Sequence, residues 1–538
     1  MSVESFPAPD ALQAPPEVTK PAPEPLTTRT VIHREGARLS RWATAGAIAV
    51  LVLISLWLRT RALHVHYWVD EALSVGISSH PLSQLPGLLR QDGSPPLYYV
   101  LLHGWIALRG NGEVATHELS LIFALLTIPV AYWAGASLFD RRAGLIGAVL
   151  AAGAPYLTAY GQETRMYALL ALLSLLVAAS FLHVFVKRNR RYLPLFVVSL
   201  AASMYTHNWA LFLAVMCGIG FLFCVREFPN ERRALWRDGL LGFGGVLVLY
   251  APWVPTVIYQ ARHTGAPWDL PPVVWSLTQG LYSLVGGRGA AVALLLAGGS
   301  GLLAIRRFPK AGSRLGLAIE VLLVLGIGTL LLAWLYSKTT PAWANRYLAV
   351  IVGPLILLFA LGLARAARLG LVALVLVACF WVLDPVPTAL DSKSNVAAAV
   401  AHVRRHIGSD ALVLSTQPEQ VPTLAYYLPH VKHFGTPLGP VPDPRVMDWR
   451  SALERFRHAS PRRGLASMLR SVTPGERVVL VTPVFTQKSP VWFTLISRYT
   501  TRWSAALYHN PGLRLIAVSA PHIYSTGLAV RVAVYVKR

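Results

Sequence analysis

The feature that most constrains this chain is a series of long apolar runs between residues 42 and 383. A helix rises about 1.5 Å per residue, so about 20 apolar residues cross the roughly 30 Å of hydrocarbon in a bilayer. Only 14% of the residues are charged, against about 25% in soluble domains. We therefore predict a polytopic all-α membrane protein, embedded in a lipid bilayer, with about eleven transmembrane helices. The eleven runs are 42–58, 119–139, 143–160, 167–186, 192–205, 209–225, 239–258, 290–305, 315–336, 347–364 and 369–383.

Basic residues indicate how these runs are oriented. The formal charge of +24 is typical of nucleic-acid-binding proteins, but it also arises from basic cytoplasmic loops, so we predict no nucleic-acid partner. A further apolar run at 95–108 is too short to span and fits an interfacial helix. With that run at the surface, the basic clusters share one side, which the positive-inside rule makes cytoplasmic, and Arg59 and Arg61 are the exceptions. These clusters are 141–142, 187–191, 226–237, 306–314 and 365–368.

Composition divides the chain into three parts. Residues 1–40 are rich in Pro, Ala, Glu and Thr, and predict a disordered cytoplasmic tail without a signal peptide. Residues 41–383 form the transmembrane part, with interfacial helices in the first outer loop. Residues 384–538 alternate in character and, because the number of spans is odd, predict an extracytoplasmic α/β domain on a protein of the cytoplasmic membrane. In that domain we expect helices at 396–407 and 448–469, strands at 411–415 and 477–482, and two further apolar stretches near 515–519 and 528–536.

Polar residues that are unusual at helix ends fall together on the outer side. Charged groups at a membrane boundary are costly, which makes them candidates for function. The first outer loop holds Asp70 and Glu71 in the segment Trp-Val-Asp-Glu-Ala, then Asp92, and then Pro-Pro-Leu-Tyr-Tyr with Tyr98. The later outer turns at 160–167, 205–208 and 341–347 contribute Glu163, Arg165, Tyr167, His207, Arg346 and Tyr347.

These residue types suit a ligand with an anionic head and an apolar tail. Arginine binds phosphate through two parallel, charge-assisted hydrogen bonds. Tyrosine and tryptophan can hold a sugar or an isoprenoid while their polar tip stays hydrated. A carboxylate with an ordinary pKa of about 4 is ionised at neutral pH and can take a proton from an attacking hydroxyl. We therefore predict that Asp70 is a catalytic base on the outer side.

Each residue also fits a structural role. Asp70 and Glu71 fit the first turn of a surface helix, and Arg165 and Arg346 fit interfacial anchors. His207 fits a hydrogen-bonded helix end. The pair Pro-Pro before Leu97 fits a helix start, and the outer Trp and Tyr residues fit an aromatic belt. A shared site is favoured because all of them lie on one side in a topology that other residues define.

The order of the motifs resembles a known family. The Asp-Glu pair is followed by an acid and Pro-Pro-Leu-Tyr-Tyr, a basic turn at 139–142, the segment 162–167, Tyr-Thr-His at 205–207 and Arg-Tyr at 346–347. Over roughly residues 42–364 this resembles the GT-C glycosyltransferases of family 39, which include protein O-mannosyltransferases and lipid A aminoarabinose transferases. The resemblance implies the GT-C fold and an enzyme that moves a sugar from a polyprenyl-phosphate donor to an acceptor hydroxyl outside the cytoplasmic membrane, inverting the anomeric centre. The acceptor, a glycan, a lipid or a protein, stays open.

The resemblance also implies roles for single residues. Asp70 would deprotonate the acceptor, with Glu71 as its catalytic neighbour, and Asp92 would position the acceptor or a metal. Arg165 and Arg346 would neutralise the phosphate of the carrier, which is the leaving group. Some relatives bind a divalent metal near the second acid, but this sequence lacks a clean set of ligands, so the metal stays open and no other cofactor is predicted. The substrate-binding candidates are Tyr98, Glu163, Tyr167, His207 and Tyr347.

Two other classes of protein fit a polytopic chain. A transporter or flippase of lipid-linked saccharides would need ionisable residues inside the spans, and Glu320 is the main one. A scaffold without activity, whose outer domain binds a partner, is the third interpretation. Replacing Asp70 by Asn separates the three, because only a transferase would lose turnover while keeping its donor affinity.

Overall fold

A computed structural model describes residues 28–307, 314–383, 393–484, 489–519 and 529–538. Most of the predicted tail, Lys310 of one basic cluster and the predicted domain boundary at residue 384 lie outside these ranges. Helix α1 already begins at Thr28, inside the segment predicted as a tail. The helical part from Val50 onward and the C-terminal domain belong to one compact unit, Val50–Arg538.

The described residues before position 384 contain helices and no strand. The α-helices are α1 Thr28–Arg59, α2 Val69–Ser78, α3 Leu85–Asp92, α4 Leu97–Arg109, α5 Glu113–Leu138, α6 Arg141–Gly153, α7 Pro155–Tyr160, α8 Tyr167–Phe181, α9 Leu193–Thr206, α10 Ala210–Glu227, α11 Arg232–Tyr250, α12 Val254–His263, α13 Val274–Val285, α14 Arg288–Ala293, α15 Gly299–Arg307, α16 Arg314–Leu323, α17 Thr329–Thr339, α18 Ala349–Arg365 and α19 Ala367–Leu383.

Eight helical segments in the described ranges are long and apolar enough to cross a membrane. They are Arg41–Arg59, Glu113–Leu138, Tyr167–Val186, Ala210–Glu227, Pro229–His263, Arg288–Ile305, Arg314–Thr339 and Asn345–Arg365. The predicted polytopic helical fold is confirmed, whereas the number of eleven spans stays a prediction. The other three runs form shorter helices. The first is divided into α6 and α7 at Ala154, before Pro155, and the second and third are α9 with 14 residues and α19 with 17 residues.

The segment predicted as the first outer loop contains short helices. The run at 95–108 forms α4, which has 13 residues and is therefore about 20 Å long. It begins directly after Pro96, its N-cap residue, so the two prolines do mark a helix start. Helices α2, α3 and α4 together bring Asp70 and Asp92 to the same end of the bundle.

The basic loops meet at the opposite helix ends. Arg365 pairs with Asp140 at 2.9 Å, and Arg188 pairs with Glu231 at 2.7 Å. Helices α8 and α18 each begin at the polar turns and end at these basic loops. Arg59, an exception to the charge rule, is fully buried and donates to the carbonyl oxygens of Ala124 and Ala151 at 2.9 and 2.7 Å. It therefore satisfies helix carbonyls where α6 ends.

Helices α8 and α18 form the centre of the bundle, and almost all of their residues are buried. They approach each other at Gly353, whose backbone N–H donates to Ser174 Oγ at 3.0 Å. A Cβ atom at Gly353 would lie 2.1 Å from the backbone nitrogen of Leu175. Only glycine therefore permits this contact. The residues just before the two helices, Arg165 and Arg346, are held side by side by the same packing.

The C-terminal part is an α/β domain around a six-stranded sheet. The strands are β1 Leu412–Ser415, β2 His433–Thr436, β3 Gly439–Val441, β4 Arg477–Pro483, β5 Leu513–Val518 and β6 Val530–Lys537. The helices are α20 Val396–Val403, α21 Val421–Tyr427, α22 Ala452–His458, α23 Pro461–Arg470 and α24 Val491–Tyr508. The strand order in the sheet is β3-β2-β1-β4-β6-β5. Strand β1 pairs in parallel with β2 and β4, and the other pairs are antiparallel. Apolar residues of β1, β4 and β6 pack with the two helices α20 and α21 to form the core of the domain.

This domain agrees with the predicted class and differs in its elements. The two predicted strands correspond to β1 and β4, and the two apolar stretches form β5 and β6. The single helix predicted at 448–469 is two helices, α22 and α23, because Ser460 and Pro461 begin a new helix with Ser460 as its cap. The 18-residue helix α24 was not predicted.

Candidate active site

Helix α2 decides which of the two adjacent carboxylates faces open space. Both Asp70 and Glu71 lie in its first turn, but successive side chains of a helix point about 100° apart. Asp70 lines a cavity of about 600 Å³. Glu71 points instead toward α5 and is only 2% exposed. Adjacent acids in the sequence therefore have different surroundings in the fold.

The cavity lies between the helix ends and the C-terminal domain. Its walls come from α2, the α3–α4 connection, α10, α12, the turns before α8 and α18, and the loop after β1. One part is apolar, with Leu211, Phe212, Val257 and Tyr336. The other part is polar. Six of the predicted site residues line this cavity, namely Asp70, Asp92, Arg165, His207, Arg346 and Tyr347.

Asp70 lies between two arginines. Its Oδ2 atom is 3.9 Å from Arg165 Nη2 and 3.7 Å from Arg346 Nη2. Arg165 is held in place by bonds from Nη1 to Ser74 Oγ at 2.8 Å and to the carbonyl oxygen of Asp70 at 3.2 Å. Among the described residues, the buried Nε atoms of both arginines have no hydrogen-bond partner. Since buried donors are almost always satisfied, these two point to an anion that is bound during function.

Tyr167, His207 and Tyr347 form an aromatic cluster beside the arginines. The ring centroids of His207 and Tyr347 are 4.7 Å apart, and those of Tyr167 and His207 are 6.0 Å apart. Burial and the charges of Arg165 and Arg346 lower the pKa of His207 to about 3, so the imidazole is neutral at pH 7. Its Nδ1 accepts the backbone N–H of Trp209 at 3.1 Å, which places the proton on Nε2. His207 can therefore donate a hydrogen bond, whereas an acid role at neutral pH is disfavoured.

Glu71 is part of a buried network. Its Oε1 accepts from His117 Nε2 at 2.7 Å and from the backbone N–H of Thr164 at 2.8 Å. Burial would raise the pKa of Glu71, but the His117 charge and these hydrogen bonds lower the pKa overall. The network joins α2 to α5 and to the turn that carries Arg165. Glu71 thus lies beside the cavity and connects α2 to the turn of Arg165, while its predicted catalytic role stays a prediction.

Asp92 faces the cavity at the end of α3. Burial raises the pKa of Asp92 to about 6, although a hydrogen bond with Ser94 and the charge of Arg165 act in the opposite direction. The Asp70 charge raises it further. Asp92 therefore changes its charge within the range of pH at which enzymes are assayed.

Tyr98 and Glu163 do not line the cavity. The Tyr98 hydroxyl contacts Ser120 Oγ at 3.2 Å, and Ser120 in turn donates to the carbonyl oxygen of Arg165 at 3.1 Å. Glu163 is paired with Lys393, the first described residue of the C-terminal part. Burial lowers the pKa of Lys393 to about 8. In this structure both side chains make contacts that position the turn at 163–165, and their role in substrate binding stays a prediction.

A divalent metal does not fit this donor set. Within the described ranges, no three His, Cys, Asp or Glu side chains come together. Of the three carboxylates that line the cavity, Asp70 and Asp92 both have Arg165 beside them, and Glu419 belongs to the opposite wall. A guanidinium repels a cation, and two carboxylates supply fewer ligands than hard cations take in proteins. We therefore derive no step that uses a metal.

Sequence reasoning missed the part of the site that the C-terminal domain supplies. Gln417, Glu419, Trp449 and Phe493 line the cavity opposite the helices. A signal was present, because the polar segment Thr-Gln-Pro-Glu-Gln follows strand β1 directly. Ligands of α/β sheets bind at the carboxyl ends of parallel strands.

The architecture and the site define a class. The fold is similar to the crystal structure of ArnT from Cupriavidus metallidurans bound to undecaprenyl phosphate, with a TM-score of 0.58, 14% identity, and coverage of 92% of this chain and 98% of that chain. It is also similar to the Archaeoglobus fulgidus oligosaccharyltransferase in complex with Zn and sulfate, with a TM-score of 0.52, 14% identity, and coverage of 81% and 67%. This chain therefore has the GT-C glycosyltransferase fold of these multi-pass membrane proteins.

Sequence comparison agrees with this class. Residues 93–257 match the family described as dolichyl-phosphate-mannose-protein mannosyltransferase. No curated protein gives a significant match. The matched segment includes the site residues Arg165 and His207, whereas Asp70 and Arg346 lie outside it. The predicted resemblance to the GT-C glycosyltransferases of family 39 is confirmed.

Proposed function

We propose that this protein transfers a sugar from a polyprenyl-phosphate donor to an acceptor hydroxyl, with inversion at the anomeric carbon. The observation that carries the proposal is the group of Asp70, Arg165 and Arg346 in one cavity, with a carboxylate between two guanidinium groups whose buried Nε atoms have no partner among the described residues. Positive charge of this kind suits a phosphate diester. The apolar part of the cavity suits the first isoprene units of a carrier.

The two arginines act on the leaving group. When the bond between the anomeric carbon and the phosphate oxygen breaks, the electron pair stays on the phosphate. Fixed guanidinium donors stabilise the charge that develops there. Their free Nε atoms and the neutral Nε2–H of His207 are the donors that we assign to the carrier phosphate.

Asp70 acts on the acceptor. Its carboxylate takes the proton of the acceptor hydroxyl while the oxygen attacks the anomeric carbon on the face opposite the phosphate. One base is sufficient for this single displacement, whereas a glycosidase needs a pair of carboxyl groups and water as the acceptor. In the free protein the arginines neutralise Asp70, and a bound phosphate shares their charge.

The surroundings of the site support a lipid-linked donor. ArnT, which has the same fold, was crystallised with undecaprenyl phosphate. In this chain Leu211, Phe212 and Tyr336 continue the cavity toward α10 and α17. From the positive-inside rule we place the site on the outer face of the cytoplasmic membrane, the N-terminus in the cytoplasm and the C-terminal domain outside.

The assignment of the arginines can be tested by binding alone. Arg165→Ala and Arg346→Ala are each expected to weaken the affinity for undecaprenyl phosphate about 10- to 100-fold, because each removes a charge-assisted contact worth about 1.5–3 kcal/mol. The measurement is a titration of the purified protein in nanodiscs. Arg262→Ala, at an exposed position after the cavity-lining Ala261, is the control and should bind like the parent. Unchanged affinity in both cavity variants would refute the phosphate site.

A further inference from the structure

The wall that the C-terminal domain contributes to the cavity carries buried polar groups that the proposed donor chemistry does not use. Gln417 and Glu419 lie in the loop after β1, are 2% and 7% exposed, and both line the cavity. Because Gln417 and Glu419 line the same cavity as Asp70 of α2, they face the helices across that cavity. This wall is therefore part of the same chamber but belongs to a different structural element.

The hydrogen bonds of these two residues leave two oxygen atoms available. Glu419 Oε1 accepts from Trp492 Nε1 at 3.0 Å and from Gln417 Nε2 at 2.9 Å. Glu419 Oε2 and Gln417 Oε1 are buried and have no partner among the described residues. The bonds that are made fix both side chains. The two remaining acceptors are thus pre-positioned and require donors from a ligand.

Aromatic rings lie beside these acceptors. Trp449 and Phe493 line the cavity, and Trp449 packs against Trp268 and Trp492 with ring centroids 4.4 and 5.5 Å apart. A flat aromatic surface next to fixed hydrogen-bond acceptors complements a sugar ring, which has an apolar face and an edge of hydroxyl groups.

We infer that Gln417 and Glu419 form an acceptor subsite that binds hydroxyl groups of a carbohydrate, so that the acceptor is a glycan. The inference rests on the proposed function. As far as the structure describes this wall, its lining contains a carboxylate and no basic residue, which makes it unsuitable for the phosphate. Buried polar atoms make it equally unsuitable for an isoprenoid chain.

The free atoms of this wall favour hydroxyl groups as the partner. Burial raises the pKa of Glu419, and the charge of Asp70 acts in the same direction. Of the two free acceptors, one is a carboxylate oxygen and the other a neutral amide oxygen, a pair that suits the hydroxyl groups of a sugar. A hydroxyl bound here would be presented from the C-terminal domain toward the side of the cavity that holds Asp70.

The test is binding of simple glycosides to the full-length protein in nanodiscs saturated with undecaprenyl phosphate. Saturation-transfer NMR would compare methyl α-mannopyranoside, methyl β-glucopyranoside and methyl α-arabinofuranoside with a short peptide that contains Ser and Thr. We expect at least one glycoside to bind the parent. We expect Gln417→Ala and Glu419→Gln to weaken that binding at least fivefold and to leave the affinity for undecaprenyl phosphate unchanged.

The variants and controls keep the outcomes distinct. Glu419→Gln can still accept from Trp492 and Gln417, so it tests the subsite even where Gln417→Ala unfolds. Glu454→Gln, at an exposed position of the same domain, should bind like the parent. The inference is overturned if no glycoside binds, if both variants bind like the parent, if the peptide binds through Gln417, or if the variants lose undecaprenyl phosphate instead. Failure of the proposed function shows separately, as unchanged carrier affinity in Arg165→Ala and Arg346→Ala.

Discussion

The consecutive residues Asp70 and Glu71 have different surroundings because their side chains point in different directions from helix α2. Asp70 faces the cavity and the two arginines, while Glu71 is bonded to His117 and to the backbone of Thr164. The buried network of Glu71 holds the turn of Arg165 against α2. The carboxylate proposed to react and the one that positions it are thus adjacent in sequence.

Asp92 gives the reaction a predicted dependence on pH. Because its pKa is raised to about 6, Asp92 is ionised above pH 6, where it can accept a hydrogen bond from an acceptor hydroxyl, and is protonated below. We expect kcat/KM for transfer to fall about tenfold per pH unit below pH 6. In Asp92→Asn, activity is expected to be lower and this inflection to be missing. Asp410→Asn, at an exposed site, is the control and should keep the inflection. An Asp92→Asn variant that keeps the inflection near pH 6 would contradict the proposed role of Asp92.

The sequence could predict Asp70, Arg165 and Arg346, because charged residues at outer helix ends are few and the loop charges order the spans. It could not assign Glu71, because the hydrogen bonds of Glu71 with His117 and with the backbone of Thr164 form only in the folded protein. Tyr98 and Glu163 were predicted as substrate contacts because they lie in the same predicted outer segments as Asp70 and Arg165. Their partners in the structure, Ser120 and Lys393, are brought near them only by the fold. The hydrophobic periodicity of a sequence does not indicate which distant residues form such hydrogen bonds and ion pairs.

At the scale of elements, the packing of α8 on α18 sets the distance between the arginines. Each arginine precedes one of these helices, and the helices touch at Gly353 and Ser174. The apolar runs predicted both helices well. They did not predict the close approach, because a single glycine in an apolar run is compatible with many neighbours. The break at Ala154 was missed although Pro155 disfavours a continuous helix.

Gly353→Ala is expected to push α18 away from α8, because a Cβ atom would lie 2.1 Å from the backbone of Leu175. We expect a loss of about 2 kcal/mol or more in stability, typical of overpacking, and weaker binding of undecaprenyl phosphate because the arginines separate. Thermal unfolding and a carrier titration would measure the two effects. Gly244→Ala, where a Cβ atom meets nothing within 4 Å, is the matched control in α11. Equal behaviour of both variants would contradict this account.

At the scale of the whole molecule, the C-terminal domain forms one wall of the cavity. It contacts the helical part through Tyr427, whose hydroxyl accepts the backbone N–H of Tyr67 at 2.8 Å, and through Asp443, which lies 2.6 Å from His80. Trp449 also donates its backbone N–H to the carbonyl oxygen of Gln91 at 3.1 Å. Contacts between parts so distant in sequence could not be predicted, so the polar segment after β1 did not by itself indicate that it faces the cavity.

Gly76→Ala tests whether this closure is needed. A Cβ atom at Gly76, in the helix of Asp70, would lie 2.0 Å from the carbonyl oxygen of Arg445. We expect the domain to be displaced, transfer to fall at least tenfold and hydrolysis of the donor by water to rise, because closed sites exclude water. Both rates can be followed with a radiolabelled donor. Gly104→Ala, which meets nothing within 4 Å, should behave like the parent, and a fully active Gly76→Ala would show that closure is dispensable.

The central claim is that Asp70 is the base of a transferase that uses a polyprenyl-phosphate sugar. The most direct measurement compares the parent with Asp70→Asn for single-turnover transfer of a labelled sugar and for binding of undecaprenyl phosphate. We predict that transfer falls at least about 100-fold, as expected when a general base is removed, while carrier affinity is equal or higher because the two arginines lose a competing carboxylate. Undiminished transfer by Asp70→Asn would contradict the account.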